Sequence, residues 1–283
     1  MSDGSWQSPA GAASTKAIER RHRLDAVVKV VAVANQKGGV AKTTTVQSLG
    51  VALAEQGKRV LVVDLDPQAC LTFSLGLDPD DLAASLHDVL VRRAKIAEVR
   101  LEVEGVEGLS LIPATIDLAG AEVHLLSRTG REHVLARALE PILMEHDVVL
   151  IDCPPSLGVL TINGLTAAEA VVIPLQCEAL SHRGVGQLLE TIDDVRQFAN
   201  EHLRILGVIA TMYDGRTTHA RKVLAEVEER YGLPVFDPPV PKSVRFAEAP
   251  GLGCSVLQHA PSSPGAGAYR TLASQVFAAM EAM

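Results

Sequence analysis

The sequence predicts an α/β protein built on a single doubly wound, mainly parallel sheet with helices on both faces. From Val27 onward, short β-branched runs alternate with longer segments of helical spacing, which is the signature of βαβ units. Several of these runs are apolar at every position, as expected for strands that helices cover on both sides. No internal repeat and no linker divides the chain, so we expect residues 27–283 to form one domain.

The order of the elements follows from the two periodicities. Strands are predicted at residues 30–34, 59–64, 109–112, 148–152, 170–174, 205–211 and 235–240. Helices are predicted at residues 42–55, 81–91, 118–144, 183–200, 219–231 and 269–280. We expect the helix at 118–144 to be interrupted near Thr129 and Gly130, because glycine weakens a helix interior.

Composition narrows the class of protein. The chain has 283 residues, of which 47% are hydrophobic and 21% are charged, which is typical of a globular domain with one sizeable core. No apolar run approaches the roughly 20 residues that span a bilayer, and the N-terminus lacks the apolar core of a secretory signal. We therefore expect a cytoplasmic protein that does not bind membranes. The cysteines form no CxxC pair and are expected to be buried thiols: Cys70, Cys153, Cys177 and Cys254.

Charge limits the ways in which the chain can bind nucleic acid. The formal net charge is -8, so the overall field repels a polyanion and any nucleic-acid binding requires a local patch. Aromatic residues make up 3% of the chain, too few for a base-stacking surface, whereas binding to a duplex backbone remains possible. Residues 1–26 are expected to be a disordered or weakly ordered extension. Its basic residues are interpreted as a solvated tail or short helix rather than a nucleic-acid arm: Lys16, Arg20, Arg21 and Arg23.

A phosphate-binding loop is predicted after the first strand. The strand leads into Asn35-Gln36-Lys37-Gly38-Gly39-Val40-Ala41-Lys42-Thr43-Thr44, and a helical pattern begins at once. Successive glycines let main-chain N–H groups face an anion, and the helix adds its unsatisfied N-terminal donors. Lys42 supplies a positive charge and Thr43 a hydroxyl for Mg²⁺. The alternative is a glycine-rich turn without a ligand, which the two lysines and two threonines disfavour.

The loop departs from the common pattern GxxxxGK[ST], because Gln36 and Ala41 occupy the two glycine positions. It fits KGGxxK[ST] and resembles the deviant Walker A loop of the ParA/MinD superfamily of P-loop ATPases. The resemblance implies that residues 37–44 bind ATP with Mg²⁺ and that Lys42 serves hydrolysis. It also implies that Lys37 reaches across a dimer interface to the partner's nucleotide. Ala41 stands where glycine is commoner, so we expect its φ to be negative, as at a helix start.

Three carboxylates are predicted at the carboxyl ends of strands, where open α/β sheets bind ligands. Asp64 and Asp66 follow the second strand in Asp64-Leu65-Asp66-Pro67-Gln68, and period two places both on one side of the chain. The resemblance to the family's DxDPQ segment assigns hydrolysis to Asp66, and we place Asp64 in the outer shell of Mg²⁺. Asp152 resembles the Walker B aspartate and is expected to hold a Mg²⁺-bound water. Each carboxylate has a plain alternative as a loop or helix cap.

The resemblance extends from about residue 29 to residue 277 and includes segments typical of the Soj/ParA partitioning branch. In that branch the segment at 240–250, which reads VPKSVRFAEAP, borders the adenine, so Pro241 and Ser243 are candidate ATP-binding residues. The same resemblance makes Arg216, Lys242 and Arg245 candidate contacts to DNA. It implies a homodimer formed with ATP, binding to nonspecific double-stranded DNA, association with the nucleoid, and a ParB-type partner that stimulates turnover.

Three other functions compete with this interpretation. A MinD-like positioning ATPase ends in a basic amphipathic membrane helix, whereas residues 275–280 contain no lysine or arginine. An iron-protein reductase of the superfamily bridges a cluster through two cysteines per subunit, and neither Cys153 nor Cys177 matches those positions. An adaptor that binds nucleotide without turnover is the third alternative, and Ala41 is the feature that favours it.

Overall fold

The computed structural model describes residues 28–177 and 181–283, and the predicted extension at residues 1–26 lies outside them. The strands are β1 Lys29–Val33, β2 Val60–Asp64, β3 Leu101–Glu102, β4 Leu109–Ile112, β5 Val148–Asp152, β6 Ala170–Gln176, β7 Arg204–Thr211 and β8 Val235–Phe236. The α-helices are α1 Lys42–Glu55, α2 Cys70–Ser74, α3 Leu86–Leu90, α4 Ile96–Val99, α5 Leu118–Leu126, α6 Val134–Leu139, α7 Val159–Ala167, α8 Ser181–Phe198, α9 Thr218–Tyr231, α10 Arg245–Glu248, α11 Val256–His259 and α12 Pro264–Glu281. Short 3-10 turns lie at Pro79–Asp81, Arg131–His133, Glu140–Glu145 and Ala249–Leu252.

The eight strands form one sheet in the order β3-β4-β2-β5-β1-β6-β7-β8. The short edge strand β3 runs antiparallel to β4, and the other strand pairs of the described chain are parallel. The predicted single, doubly wound and mainly parallel sheet is therefore confirmed. Because β1 lies between β5 and β6, the loop after β1 leaves the sheet beside the ends of both neighbours.

Both faces of the sheet are covered by helices. In β1, Val30 and Ala32 belong to one buried cluster, while Val31 and Val33 belong to the cluster on the opposite face. Helices α1 and α12 contribute to the second cluster, and α7 and α8 contribute to the first. This double burial is the reason why the central strands carry apolar residues on both faces. Within residues 28–177 and 181–283, none of the helices combines the length and apolar character that a bilayer crossing requires.

Several predicted boundaries are wrong. The helix expected at residues 81–91 is confined to Leu86–Leu90, because Pro79–Asp81 forms a separate 3-10 turn and Ser85 begins α3 with a capping box. The interruption expected near Thr129 and Gly130 is confirmed, because α5 and α6 are separated at Gly130, whose φ is +65°, but the last predicted residues form the 3-10 turn Glu140–Glu145. The strand expected at 235–240 ends at Phe236. Helix α7 was not predicted at all.

Candidate functional site

Side-chain hydrogen bonds anchor the loop after β1 to β6, which is next to β1 in the sheet, and to β7 beyond it. The Asn35 amide donates to the carbonyl oxygen of Pro174 in β6 at 2.8 Å, and its oxygen accepts from the Lys37 N–H at 3.0 Å. The Thr211 hydroxyl, at the end of β7, donates to the carbonyl oxygen of Val40 at 3.0 Å. These bonds fix the loop before any ligand arrives, which is the preorganisation that an anion site needs.

The turn from the loop into α1 uses left-handed backbone. Gly39 has a φ of +73°, which glycine adopts without steric cost. Ala41 has φ 66° and ψ 34°, so the expectation that its φ is negative is wrong. Its carbonyl oxygen accepts from the Thr45 N–H at 2.9 Å and thereby begins the helix. The left-handed conformation costs an alanine about 1–2 kcal/mol, which the rest of the fold offsets.

Lys42, the first residue of α1, is 7% exposed, and its ammonium group donates to the carbonyl oxygen of Lys37 at 3.2 Å. Burial lowers the pKa of Lys42, while nearby acidic groups, Asp152 foremost, oppose that shift. A buried cation whose charge is only partly compensated attracts an anion strongly. The Lys42 side chain therefore lies where the phosphates of a nucleotide are expected.

Asp64 and Asp152 are directly paired in register at the ends of β2 and β5, and both are buried. One Asp64 oxygen accepts from the Thr72 N–H at 2.9 Å and from the Thr72 hydroxyl at 2.7 Å. The other oxygen accepts from the Asp66 N–H at 3.2 Å. Burial raises the pKa of Asp64 to about 6, although the Thr72 hydrogen bonds oppose the shift. Asp64 thus holds together the segment that carries Asp66.

Both carboxylate oxygens of Asp152 lack a hydrogen-bond partner in the described part of the chain. Burial and the adjacent Asp64 raise the pKa of Asp152 well above its usual range. The Thr43 hydroxyl lies close enough to lower that pKa, but it makes no hydrogen bond of acceptable geometry with either oxygen. Mg²⁺ prefers oxygen ligands and retains several waters, so an unpaired buried carboxylate beside a threonine hydroxyl fits it. The metal roles of Thr43, Asp64 and Asp152 remain predictions.

A cavity of about 820 Å³ is lined by Lys42, Thr43 and Asp66, and its volume is within the range of small-molecule sites. Its lining includes residues of the phosphate loop and Asp66, together with Pro241, Ser243 and Phe246. One Asp66 oxygen accepts from the Gln68 N–H at 2.9 Å, so the carboxylate is held at the cavity wall. Eight of the ten predicted ATP-binding residues line this one space, from segments about 200 positions apart in the sequence, whereas Lys37 and Val40 do not line it. Their roles in ATP binding remain predictions.

Comparison with known proteins bears on this site. A family model described as an AAA domain matches residues 28–205. The sporulation initiation inhibitor protein Soj of Bacillus subtilis is 46% identical over 250 residues, which are 88% of this chain and 98% of Soj. The chromosome partitioning protein ParA of Caulobacter vibrioides is 44% identical over 251 residues, which are 88% of this chain and 94% of that protein.

The chain belongs to the ParA/Soj family of ATPases.

A solved structure extends the comparison. The structure described as cobyrinic acid a,c-diamide synthase of Mycobacterium smegmatis, with bound ADP and magnesium, is 56% identical to this chain. Its TM-score is 0.78, and the match covers 88% of this chain and 93% of that one. The chain is therefore similar both to ParA/Soj proteins and to a structure that is named for a different activity.

The arginines that the ParA/Soj resemblance marks for DNA are exposed but already paired. The Arg216 guanidinium, 91% exposed, donates to both oxygens of Asp214 at 2.8 Å. Arg245 donates to Glu248 at 2.9 Å, and the same Glu248 oxygen lies 3.0 Å from the His259 ring nitrogen. The third candidate, Lys242, lines the nucleotide cavity. DNA would therefore have to compete with these carboxylates, and the three DNA roles remain predictions.

Sequence reasoning missed several residues of the site. The N–H of Thr72 donates to the Asp64 carboxylate. The hydroxyl oxygen of Thr72 accepts from the Ala114 N–H at 2.9 Å. Tyr269 shares a hydrogen bond of 3.0 Å with Thr45 of α1. Sequence spacing does not indicate the Thr72–Ala114 and Thr45–Tyr269 contacts, because the partners lie 42 and 224 positions apart along the chain. Cys153, considered as a cluster ligand, is fully buried, and burial raises its pKa, which disfavours the thiolate that a metal would need.

Proposed function

We propose that the chain binds ATP with Mg²⁺ in this cavity, dimerises in that state, binds nonspecific duplex DNA and thereby drives DNA segregation or cargo positioning. The observation that carries the proposal is the proximity of buried Lys42, Thr43 and the unpaired carboxylate of Asp152, next to a cavity that Lys42 and Thr43 line. Membership of the ParA/Soj family supports the ATPase activity. Residues 27–283 are the ATPase domain in this proposal, and residues 1–26 are an extension.

The residues of this chain divide the work of hydrolysis. Lys42 and the N–H groups of the loop hold the phosphates, and the nearby carboxylates oppose the lowering of the Lys42 pKa that burial causes. Mg²⁺, when bound, neutralises charge that develops on the phosphates. Asp66, held by Gln68 at the cavity wall, positions the attacking water. Lys37 neutralises phosphate charge on the nucleotide of the opposite subunit, so loss of the transferred phosphate removes the bridge and the dimer separates.

DNA binding rests on a local patch. Between residues 216 and 245 there are six Lys or Arg and four Asp or Glu, a local charge of +2 in a chain of -8. Dimerisation doubles this patch, so several phosphates are contacted together only in the ATP state. Opening the Arg216 and Arg245 ion pairs costs little, because exposed pairs are worth little. In this proposal the protein is cytoplasmic and nucleoid-associated, and a ParB-type partner stimulates hydrolysis.

The test is a gel shift of random duplex DNA with ATP, ADP and no nucleotide, in parallel with sizing of the same samples. We expect a dimer and a shift with ATP alone. Arg245→Glu, and more weakly Arg216→Glu, should lose the shift but keep the dimer and basal hydrolysis. Arg92→Glu is the matched control, because Arg92 is 71% exposed and ion-paired with Asp88 outside the patch. If both patch variants shift DNA as wild type does, the basic residues at 16–23 become the next candidate.

A second sizing experiment addresses the trans role of Lys37. We expect Lys37→Ala to bind ADP as a monomer nearly as well as wild type, but to form no dimer with an ATP analogue. A normal dimer peak for this variant would reject the role across the interface.

A second candidate function follows from the Mycobacterium smegmatis structure, at 56% identity: ATP-dependent amidation of cobyrinic acid. It uses the same nucleotide cavity but predicts a different response. Cobyrinic acid with an ammonia donor should accelerate ATP hydrolysis, whereas duplex DNA with a ParB-type protein should do so under the first proposal. Acceleration by cobyrinic acid alone would replace the first proposal with the second.

A further inference from the structure

Gln47, which lines the cavity, has a side-chain amide that could bind a part of the ligand other than its phosphates. Gln47 lies in α1 four residues after Thr43, so the two side chains share one face of the helix. Gln47 is 3% exposed and lines the nucleotide cavity. A polar side chain that is buried to this degree normally has its hydrogen bonds satisfied.

The orientation of the Gln47 amide follows from its partner. Its nitrogen donates to the backbone carbonyl oxygen of Ser74, in α2, at 2.6 Å. A carbonyl oxygen only accepts, so the amide nitrogen must face Ser74 and the amide oxygen Oε1 must point the other way. Oε1 makes no hydrogen bond within residues 28–177 and 181–283, and it is not sealed from the cavity. The Gln47 oxygen is therefore an acceptor that a ligand can reach.

The surrounding wall is mostly apolar. Phe73, Pro79, Phe246 and Pro250 line the same cavity as Gln47. The Phe246 ring packs edge-on against the ring of Tyr269, with centroids 5.9 Å apart. It also lies so close to Gly265 that a Cβ there would come within 2.6 Å of the ring. A flat apolar wall of this kind suits the base and sugar of a nucleotide rather than its phosphates.

Two other polar groups that line the cavity are already engaged. The Tyr269 hydroxyl is bonded to Thr45 at 3.0 Å, and the Ser74 hydroxyl donates to the Leu71 carbonyl oxygen at 3.0 Å. The amide oxygen of Gln47, unlike these two hydroxyls, is an open acceptor. A site with one such group discriminates strongly between ligands that carry the matching donor and ligands that lack it.

We propose that Gln47 is a specificity-determining residue, whose Oε1 accepts a hydrogen bond from the nucleoside part of the bound nucleotide. The donor is an N–H or O–H group, which the adenine amino group and the ribose hydroxyls both offer. Hypoxanthine carries an oxygen in place of the amino group and would set two acceptors against each other. This inference rests on the proposed nucleotide site.

The experiment compares diphosphates, which are not hydrolysed, by calorimetry with Mg²⁺. Wild type, Gln47→Met and Gln47→Asn are each titrated with ADP, IDP, 2′-deoxy-ADP and 3′-deoxy-ADP. Gln56→Met is the matched control, because Gln56 follows α1, is exposed, and bonds Ser274 outside the cavity. Circular dichroism establishes that each variant is folded.

We expect wild type and Gln56→Met to bind ADP about tenfold more tightly than the analogue that lacks the donor. Gln47→Met should reduce that preference to less than about threefold, because the thioether accepts hydrogen bonds poorly. Gln47→Asn should also reduce it, since the shorter side chain withdraws the oxygen. If the Gln47 variants lose the wild-type preference for ADP over IDP, the hydrogen-bond donor is the amino group of the base. If they lose the preference for ADP over a deoxy analogue, the donor is the ribose hydroxyl that this analogue lacks.

Two results would overturn the inference while leaving the proposed function in place. They are equal affinity of wild type for all four diphosphates, and an unchanged preference in the Gln47 variants that fold. Absence of ADP binding by wild type is a different outcome, because it would overturn the proposed nucleotide site and the role of Gln47 together.

Discussion

The paired carboxylates at the ends of β2 and β5 should destabilise the protein in the absence of nucleotide and metal. We expect Asp152→Asn to raise the free energy of unfolding at pH 8, because the charge that it removes is buried and has no hydrogen-bond partner in the described chain. An ionised buried carboxylate is costly unless it is paired. The variant should at the same time lose Mg²⁺-dependent hydrolysis.

The magnitude can be scaled from Asp64, whose pKa is raised from 3.8 to about 6. Each pH unit between folded and unfolded pKa corresponds to about 1.4 kcal/mol, so ionised Asp64 costs about 3 kcal/mol. Asp152 is buried as deeply and lacks the hydrogen bonds that Asp64 receives. The asparagine amide stays unpaired at a cost of about 1–2 kcal/mol. The net gain expected for Asp152→Asn is therefore about 1–2 kcal/mol.

The pH dependence follows from the direction of the shift. A raised pKa in the folded state means that stability is fully present below the unfolded pKa and is lost as pH rises through the folded pKa. Wild type therefore regains stability as pH falls from 8, because the pKa values of Asp64 and Asp152 are both raised in the folded state, and the gain from Asp152→Asn shrinks in the same direction. Urea unfolding in EDTA at pH 8 and pH 5 measures both values.

Asp147→Asn is the matched control of opposite sign. Burial raises the pKa of Asp147, but hydrogen bonds from Arg59, one of them 2.6 Å long, outweigh that effect and lower it overall. This variant should therefore be less stable than wild type at pH 8 and at pH 5 alike, since its deficit is lost only as pH falls through the lowered folded pKa. The reasoning is refuted if Asp152→Asn is less stable than wild type at pH 8, or if its gain is equal at both pH values.

Three further changes test single contacts. Ala41→Gly should stabilise the protein by about 1 kcal/mol, read from thermal melting, because glycine adopts the left-handed backbone without cost; an unchanged or lower melting temperature contradicts this. Tyr269→Phe should lose about 1–2 kcal/mol, since it leaves the buried Thr45 hydroxyl without its partner at 3.0 Å; urea unfolding with no loss would show the bond to be unimportant. Asp66→Ala should retain ATP and accumulate as a dimer, because a water-positioning carboxylate affects turnover more than binding; rapid hydrolysis by this variant argues against the role.

The part of the fold that the sequence predicted is the part with local causes. Strands β1, β2, β5 and β6 are continuous apolar runs, and their burial between two helical layers is the reason for that composition. Helix α7 was not predicted because apolar and polar residues are mixed in Val159–Ala167 and form no amphipathic helical pattern. The pattern is missing because most residues of this helix are buried. The short helices α2, α4, α10 and α11 are each one turn or little more, and are set by tertiary contacts.

The site divides in the same way. The loop residues and the three aspartates lie at the ends of predicted strands, so their convergence followed from the parallel sheet. The conformation of Ala41 did not follow, because the helix start is forced by bonds from Thr211 and Thr45 to the loop. The pairing of Arg216 with Asp214, and of Arg245 with Glu248, depends on side-chain rotamers that sequence spacing does not determine.

The central claim is that this cavity binds MgATP through Lys42. Calorimetric titration of a non-hydrolysable ATP analogue with Mg²⁺ into wild type, Lys42→Ala and Lys58→Ala tests it most directly. Lys58 is the control, because its ammonium group lies over the Phe277 ring, 4.1 Å from the centroid, and does not line the cavity. We expect wild type and Lys58→Ala to bind alike and Lys42→Ala to show no measurable binding. Equal affinity of all three proteins would contradict the claim.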